Sequence, residues 1–133
     1  MVVADTDVVS YLFKRHPLSG AYYELLAGHS VMLSFMTVVE IEYGMESDGW
    51  GEVRKAAMRQ YLDTRFSAVY PDGKTVKIWA GIVASCERKG RSIAHSDAWV
   101  AATALRLEVP LVTHDAGDYA AVESLHVLTR RTG

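Results

Sequence analysis

Asp5, Glu40, Asp97 and Asp115 are the residues of this chain best suited to chemistry. Asp5 stands in VVADTDVV, Glu40 in TVVEIEYG, Asp97 in SDAWVAATA and Asp115 in LVTHDAGDY. Each follows or borders an apolar run, and each can reach the same edge of one α/β sheet. One acid so placed means little, because Asp at a helix start is often only a cap. Four at one edge make a pocket that holds its charge only with a cation, since packed carboxylates oppose one another's ionisation. An all-oxygen site of this kind suits Mg2+, with Mn2+ able to substitute.

Helix geometry narrows the set. Glu40 and Glu42 are two apart on one predicted helix and point to nearly opposite faces, so only one can enter the site. Gly44 lies one turn beyond Glu40 on the same face, where a missing side chain leaves room for an ion or a phosphate. That selects Glu40 and leaves Glu42 in solvent. Asp118 follows Asp115 by three and either adds a ligand or caps its own turn. His95 and His114 flank site acids, but hard oxygen donors fit such a site better than imidazole.

The elements that must position these residues alternate. Val2 to Ala4 reads as a buried strand, Thr6 as the cap of a helix to Phe13, and Ala21 to Leu26 as a helix stopped by Gly28. Val31 to Phe35 is a strand, and Thr37 caps a helix from Val38 to Met45. Glu52 to Phe66 is a longer helix with Arg54, Lys55, Arg59 and Arg65. A short strand at Ala68 to Tyr70 precedes a helix from Thr75 to Lys89, with Val76, Trp79, Val83 and Cys86 at helical spacing. Ser96 caps an apolar helix from Asp97 to Leu107. A strand at Val109 to Thr113, a helical turn at Ala116 to Ala121 and a strand at Val127 to Thr129 complete the chain. Strands alternating with helices predict an α/β fold, a central mostly parallel sheet flanked by α-helices.

With 133 residues the chain is expected to be a single domain spanning 1–133. A formal net charge of −2 excludes a strongly basic protein that coats nucleic acid through bulk charge, though not a local basic groove. Cys86 is the one cysteine, so no internal disulfide forms, which fits a reducing, cytoplasmic setting. MVVADTD lacks the basic and apolar regions of a signal peptide, and no apolar run reaches the roughly 18 residues of a membrane span.

The order of these motifs resembles the PIN domain family, and within it the VapC-type toxins of bacterial toxin–antitoxin pairs. A DTN-like start (Asp5-Thr6-Asp7), a TxxELxxG-like element (Thr37 to Gly44), a DxWxAATA element (Asp97 to Ala104) and an LVTxDxxDY element (Leu111 to Tyr119) carry it along the chain. The resemblance implies a PIN-like fold with Asp5, Glu40, Asp97 and Asp115 at the catalytic metal site and Asp118 as an auxiliary ligand. Thr6 and Thr113 take supporting hydroxyl positions. Three positions depart from the pattern: Asp7 replaces the usual Asn, Ser96 stands where an Asn often precedes the third acid, and His114 where a basic residue is common.

The resemblance further implies a Mg2+- or Mn2+-dependent endoribonuclease that cuts structured RNA, such as tRNA or rRNA loops, with a metal-activated water. Four carboxylates balance two divalent ions, which in such sites lie roughly 3.5–4 Å apart. Arg88, Lys89 and Arg91, just before the third acid, are the candidate RNA-binding cluster. A VapB-like antitoxin and a homodimer are the implied partners, with residues 11–13 and the apolar positions from Ile41 to Met45 as candidate contacts, core burial being the default reading of those residues; no membrane is involved. Trp79 and Trp99 read as core. Two rivals explain less. A haloacid-dehalogenase-like phosphatase would use Asp5 as nucleophile, but it leaves Glu40 and Asp97 unused. A receiver-like magnesium-binding module lacks a phospho-accepting Asp after a middle strand and a late Lys.

Overall fold

The computed structural model describes residues 1–130; the last three positions of the expected 1–133 domain lie outside the described residues. The strands are β1 (Val2–Ala4), β2 (Val31–Ser34), β3 (Ser67–Val69), β4 (Leu111–Val112) and β5 (Val127–Leu128). They form one sheet of order β3-β2-β1-β4-β5, and every pairing is parallel. The helices are α1 (Thr6–Lys14), α2 (Ser19–Leu26), α3 (Phe35–Ser47), α4 (Glu52–Arg65), α5 (Gly73–Arg88) and α6 (His95–Leu107), with a 3₁₀ turn at Ala116–Tyr119.

Alternation along β1 divides the core. Val2 and Ala4 pack against residues of α1 to α4 on one face, while Val3 joins Leu111 and the alanines of α6 on the other. Helices therefore cover both faces, as a parallel sheet requires. The chain steps from β1 outward to β2 and β3, then returns to β4 on the other side of β1. Such a reversal opens a crevice beyond the carboxyl ends of β1 and β4.

The caps of three helices differ from the sequence reading. Asp5, not Thr6, caps α1: its carboxylate accepts from the Thr6 amide at 2.8 Å, and the Thr6 hydroxyl turns elsewhere. Strand β2 runs straight into α3 without a loop, because the Ser34 hydroxyl accepts from the Met36 amide at 3.1 Å. Thr37 is thus inside the first turn and fully buried rather than a cap. Helix α6 begins at His95 with Ala94 as an uncapped flank, so Ser96 is helical and Asp97 is its third residue.

Buried positions correct two further expectations. Ile41 and Met45 belong to the core and offer no contact surface; on that helix Val39 and Tyr43 are the exposed apolar residues. On α5, Cys86 is buried but Val76 is exposed, and Ile82 supplies the core contact. Trp79 and Trp99 stack on each other at 5.0 Å between ring centres, half-buried against Phe35. No helix among the described residues is long and apolar enough to cross a membrane.

Candidate active site

Asp5 closes β1 and is the most enclosed of the acids. Its carboxylate accepts three hydrogen bonds, from the Thr6 amide (2.8 Å), the Thr113 hydroxyl (2.8 Å) and the Tyr119 hydroxyl (2.9 Å). Burial outweighs these bonds and raises its pKa, and the Asp115 charge adds to the rise. Thr113, which follows β4, also accepts from the Asp115 amide at 3.2 Å. One hydroxyl thereby joins the first acid to the backbone of the fourth.

Glu40 on α3 is linked to Asp5 through Thr6, whose amide donates to Asp5 and whose hydroxyl donates to Glu40. The Thr6 hydroxyl lies 2.7 Å from the Glu40 carboxylate and 3.0 Å from the Thr37 hydroxyl. Glu42 points away and pairs with Arg59 of α4 at 2.8 Å, so it is held by a cation rather than merely solvated. Asp97 faces the crevice from the first turn of α6. Burial, and then the charges of Asp5, Asp118 and Glu40, push its pKa up to about 6. The Tyr119 hydroxyl touches it at 3.4 Å. Asp115 and Asp118 are exposed at the 3₁₀ turn, with the Asp118 amide donating to the Asp115 carbonyl.

Two residues carry more than their sequence positions indicated. Asp7 sits in the same electrostatic cluster, and burial with the charges of Asp5 and Asp115 raises its pKa to about 7. Its carboxylate accepts from the Val8 amide (2.7 Å) and the His114 amide (3.1 Å), tying α1 to the segment before Asp115. Tyr119 is almost completely buried and spans Asp5 and Asp97. Its place at the end of the last motif was visible, but nothing local told which acids its hydroxyl would meet. His114 turns from the acids to the buried Tyr22, 2.7 Å from its hydroxyl, and His95 packs its ring against Trp79.

Burial, and then the charges of neighbouring acids, raise the proton affinity of Asp5, Asp7 and Asp97, yet no three His, Cys, Asp or Glu among the described residues are already arranged to hold a metal ion. A hard divalent cation fits them in two respects: every donor is a carboxylate oxygen, and charge opposing charge is what a cation relieves. Of the candidate RNA-binding residues, Lys89 is engaged by Glu123 at 2.9 Å and by the Ala121 carbonyl. Arg88 and Arg91 are exposed, and no carboxylate among the described residues pairs with them.

A parallel sheet with an acidic crevice at its switch point defines the α/β class. Residues 2–124 match the PIN domain model, and the chain belongs to that family. It is similar to Ribonuclease VapC1 of Haemophilus influenzae, 26% identical over 124 residues that cover 91% of each chain. Ribonuclease VapC4 of Mycobacterium tuberculosis is 28% identical over 104 residues, covering 77% of this chain and 79% of its own. Among solved structures, VapBC2 from Rickettsia felis, bound to a promoter DNA fragment, superposes with a TM-score of 0.85 at 21% identity, covering 98% of this chain and 100% of its own.

Proposed function

We propose that residues 1–133 form a single PIN-like domain acting as a VapC-type toxin: a Mg2+- or Mn2+-dependent endoribonuclease that cuts structured RNA and is silenced by a VapB-like antitoxin. The observation that carries this reading is the gathering of Asp5, Glu40, Asp97 and Asp115 at one sheet edge, where burial and then neighbouring charge raise the pKa of Asp5 and Asp97. Relatives named as VapC ribonucleases, and a VapBC complex of like fold, support it.

Asp5, Glu40, Asp97 and Asp115 would hold the cation, with Asp118 at the outer side. When bound, such a cation lowers the pKa of a water to make a nucleophile and neutralises charge on the leaving oxygen. The chain's own residues set the geometry. Thr113 and Tyr119 orient the Asp5 carboxylate, and Thr6 orients Glu40. Such supporting hydrogen bonds fix the angle at which an acid meets a ligand. The acids carry no base-reading groups, so target choice rests on RNA shape and unstacked loops. Of the candidate RNA-binding cluster, Arg88 and Arg91 are the members left free to meet phosphate.

The antitoxin would seat against α1, α2 and α4. Leu12 and Phe13 border a cavity of about 490 Å³ with Tyr23, Tyr61 and Arg65. Tyr11 belongs elsewhere, stacked on His16 at 4.0 Å. The homodimer would use the exposed Val39, Tyr43 and Tyr70.

Incubation of the purified protein with total RNA, with Mg2+ or with chelator, tests the reaction. Cleavage at few sites, only with the metal, leaving 5′-phosphate and 3′-hydroxyl ends, is expected. Products ending in 2′,3′-cyclic phosphate would mean that a ribose hydroxyl attacked, and the mechanism would fall.

A further inference from the structure

A smaller cavity, about 120 Å³, opens beside the acids, between α1 and α3. Thr6, Ser10 and Lys14 border it from α1, and Glu40 and Gly44 from α3. Residues four apart share a helix face. The cavity is therefore a groove that starts at the Thr6–Glu40 hydrogen bond and runs away from the acids along both helices. Its floor is apolar, built from Ile41, Met45 and Met58, all buried.

Gly44 makes the room. A β-carbon there would meet nothing within 4 Å, and its backbone does not take the positive φ that calls for glycine. Glycine inside a helix is destabilising relative to alanine, and the missing side chain leaves the groove open at this point.

We propose that this groove receives one unstacked nucleobase of the RNA, adjacent to the phosphate held at the acids. The proposal rests on the ribonuclease reading above. Size sets the limit: an apolar cavity of about 150 Å³ takes up benzene, so about 120 Å³ with an open mouth admits one ring in part and leaves its remainder at the mouth. Lining chemistry supports the proposal. Ser10, Lys14 and Asp48 add polar groups to the apolar floor, which suits a heterocycle with polar edges. Placement completes the case. Gly44 lies one helical turn, about 5.4 Å, along α3 from Glu40, so the groove begins within one nucleotide's reach of a phosphate held at the acids. Trp50 closes the far end as a wall rather than a stacking platform, because Arg54 covers its ring at 3.6 Å and Phe13 stacks alongside at 6.0 Å. Lys14 is exposed and unpaired among the described residues, free to meet a neighbouring phosphate.

The test is nuclear magnetic resonance on the isotopically labelled full chain with Mg2+ present. It is titrated with each of UMP, CMP, AMP and GMP, then with a single-stranded trinucleotide. At least one nucleotide should shift the Gly44 amide and the Trp50 indole saturably. Gly44→Leu fills the groove and should weaken that binding by about tenfold or more, the cost of losing roughly 1.4 kcal/mol of apolar burial. Gly44→Ala, which the open space admits without strain, should give a smaller loss at unchanged or higher Tm. Absence of shifts with all four nucleotides and the trinucleotide overturns the proposal. So does unaltered binding in both variants. Shifts caused only by a peptide from the antitoxin's C-terminal segment overturn it as well, and make the groove a protein pocket. Base binding by a chain that cuts no RNA would remove the ribonuclease reading and leave the groove standing; RNA cleavage without base binding would do the reverse.

Discussion

Tyr119 and Asp97 show how single residues set the state of this site. Tyr119 gives its one hydroxyl to Asp5 while touching Asp97, in nearly complete burial. Tyr119→Phe keeps the ring and removes the donor. It should cost about 1 kcal/mol of stability and lower Mn2+ affinity about tenfold, the lower end for a lost supporting hydrogen bond. Calorimetric titration reads the second effect; unchanged affinity would show that Tyr119 only fills space. Asp97→Asn should abolish Mg2+-dependent RNA cleavage in gel assays while raising the Tm of the metal-free protein above neutral pH. The substitution removes a charge that Asp5, Asp118 and Glu40 oppose. Asp5→Asn should also abolish cleavage without that gain in Tm. Asp5 accepts hydrogen bonds on both oxygens, and an amide nitrogen at either place faces a donor. Full cleavage by both variants would remove these acids from the reaction.

At the scale of elements, α3 separates two glutamates that are neighbours in sequence. Glu40 meets Thr6, while Glu42 pairs with Arg59 across to α4. Glu40→Gln should therefore lose RNA cleavage. Glu42→Gln should keep it and lose at most about 1 kcal/mol, because the pair is exposed. The reverse ranking in parallel activity and melting assays would place the wrong face of α3 toward the acids. This face was legible beforehand, since a helix sends positions two apart to opposite sides. So were the alternation of strands and helices and the acids at strand ends, because apolar runs and glycine stops mark them locally. Helix starts were less legible. The choice of Ser34 over Thr37 as the cap of α3 depends on the strand pairing that ends at Ser34, which is a tertiary fact. The groove at Gly44 was visible only as a gap, because its floor comes from α3 and α4 and its wall from α1. Tyr119 met Asp5 across 114 positions, beyond the reach of any local pattern.

For the whole molecule, the site acids and the surface carboxylates pull stability in opposite directions as pH changes. Asp72 is held well below its ordinary range by Arg106 and by its role capping α5, so it contributes stability above its unfolded pKa. That contribution is lost as the pH falls below about 4. The crevice behaves inversely. Asp97 rises from 3.8 to about 6 and Asp7 from 3.8 to about 7, so the folded chain binds protons more tightly than the unfolded one in between. Stability must then fall as pH rises through roughly 4 to 7 and level off above, where both states have lost those protons. Scanning calorimetry of the metal-free protein should find its highest Tm on the acidic side, near pH 4 to 5. Mg2+ should raise Tm at pH 8 and have little effect at pH 5, because protonated acids do not bind a cation and ligand binding stabilises only the state that binds. Asp7→Asn should make the decline shallower and end it nearer pH 6, while leaving the acid limb set by Asp72 in place. A metal-free Tm that stays level or climbs between pH 5 and 7 would mean the carboxylates at this edge do not share their charge when the chain is folded, and the case for a cation among them would lose its physical basis.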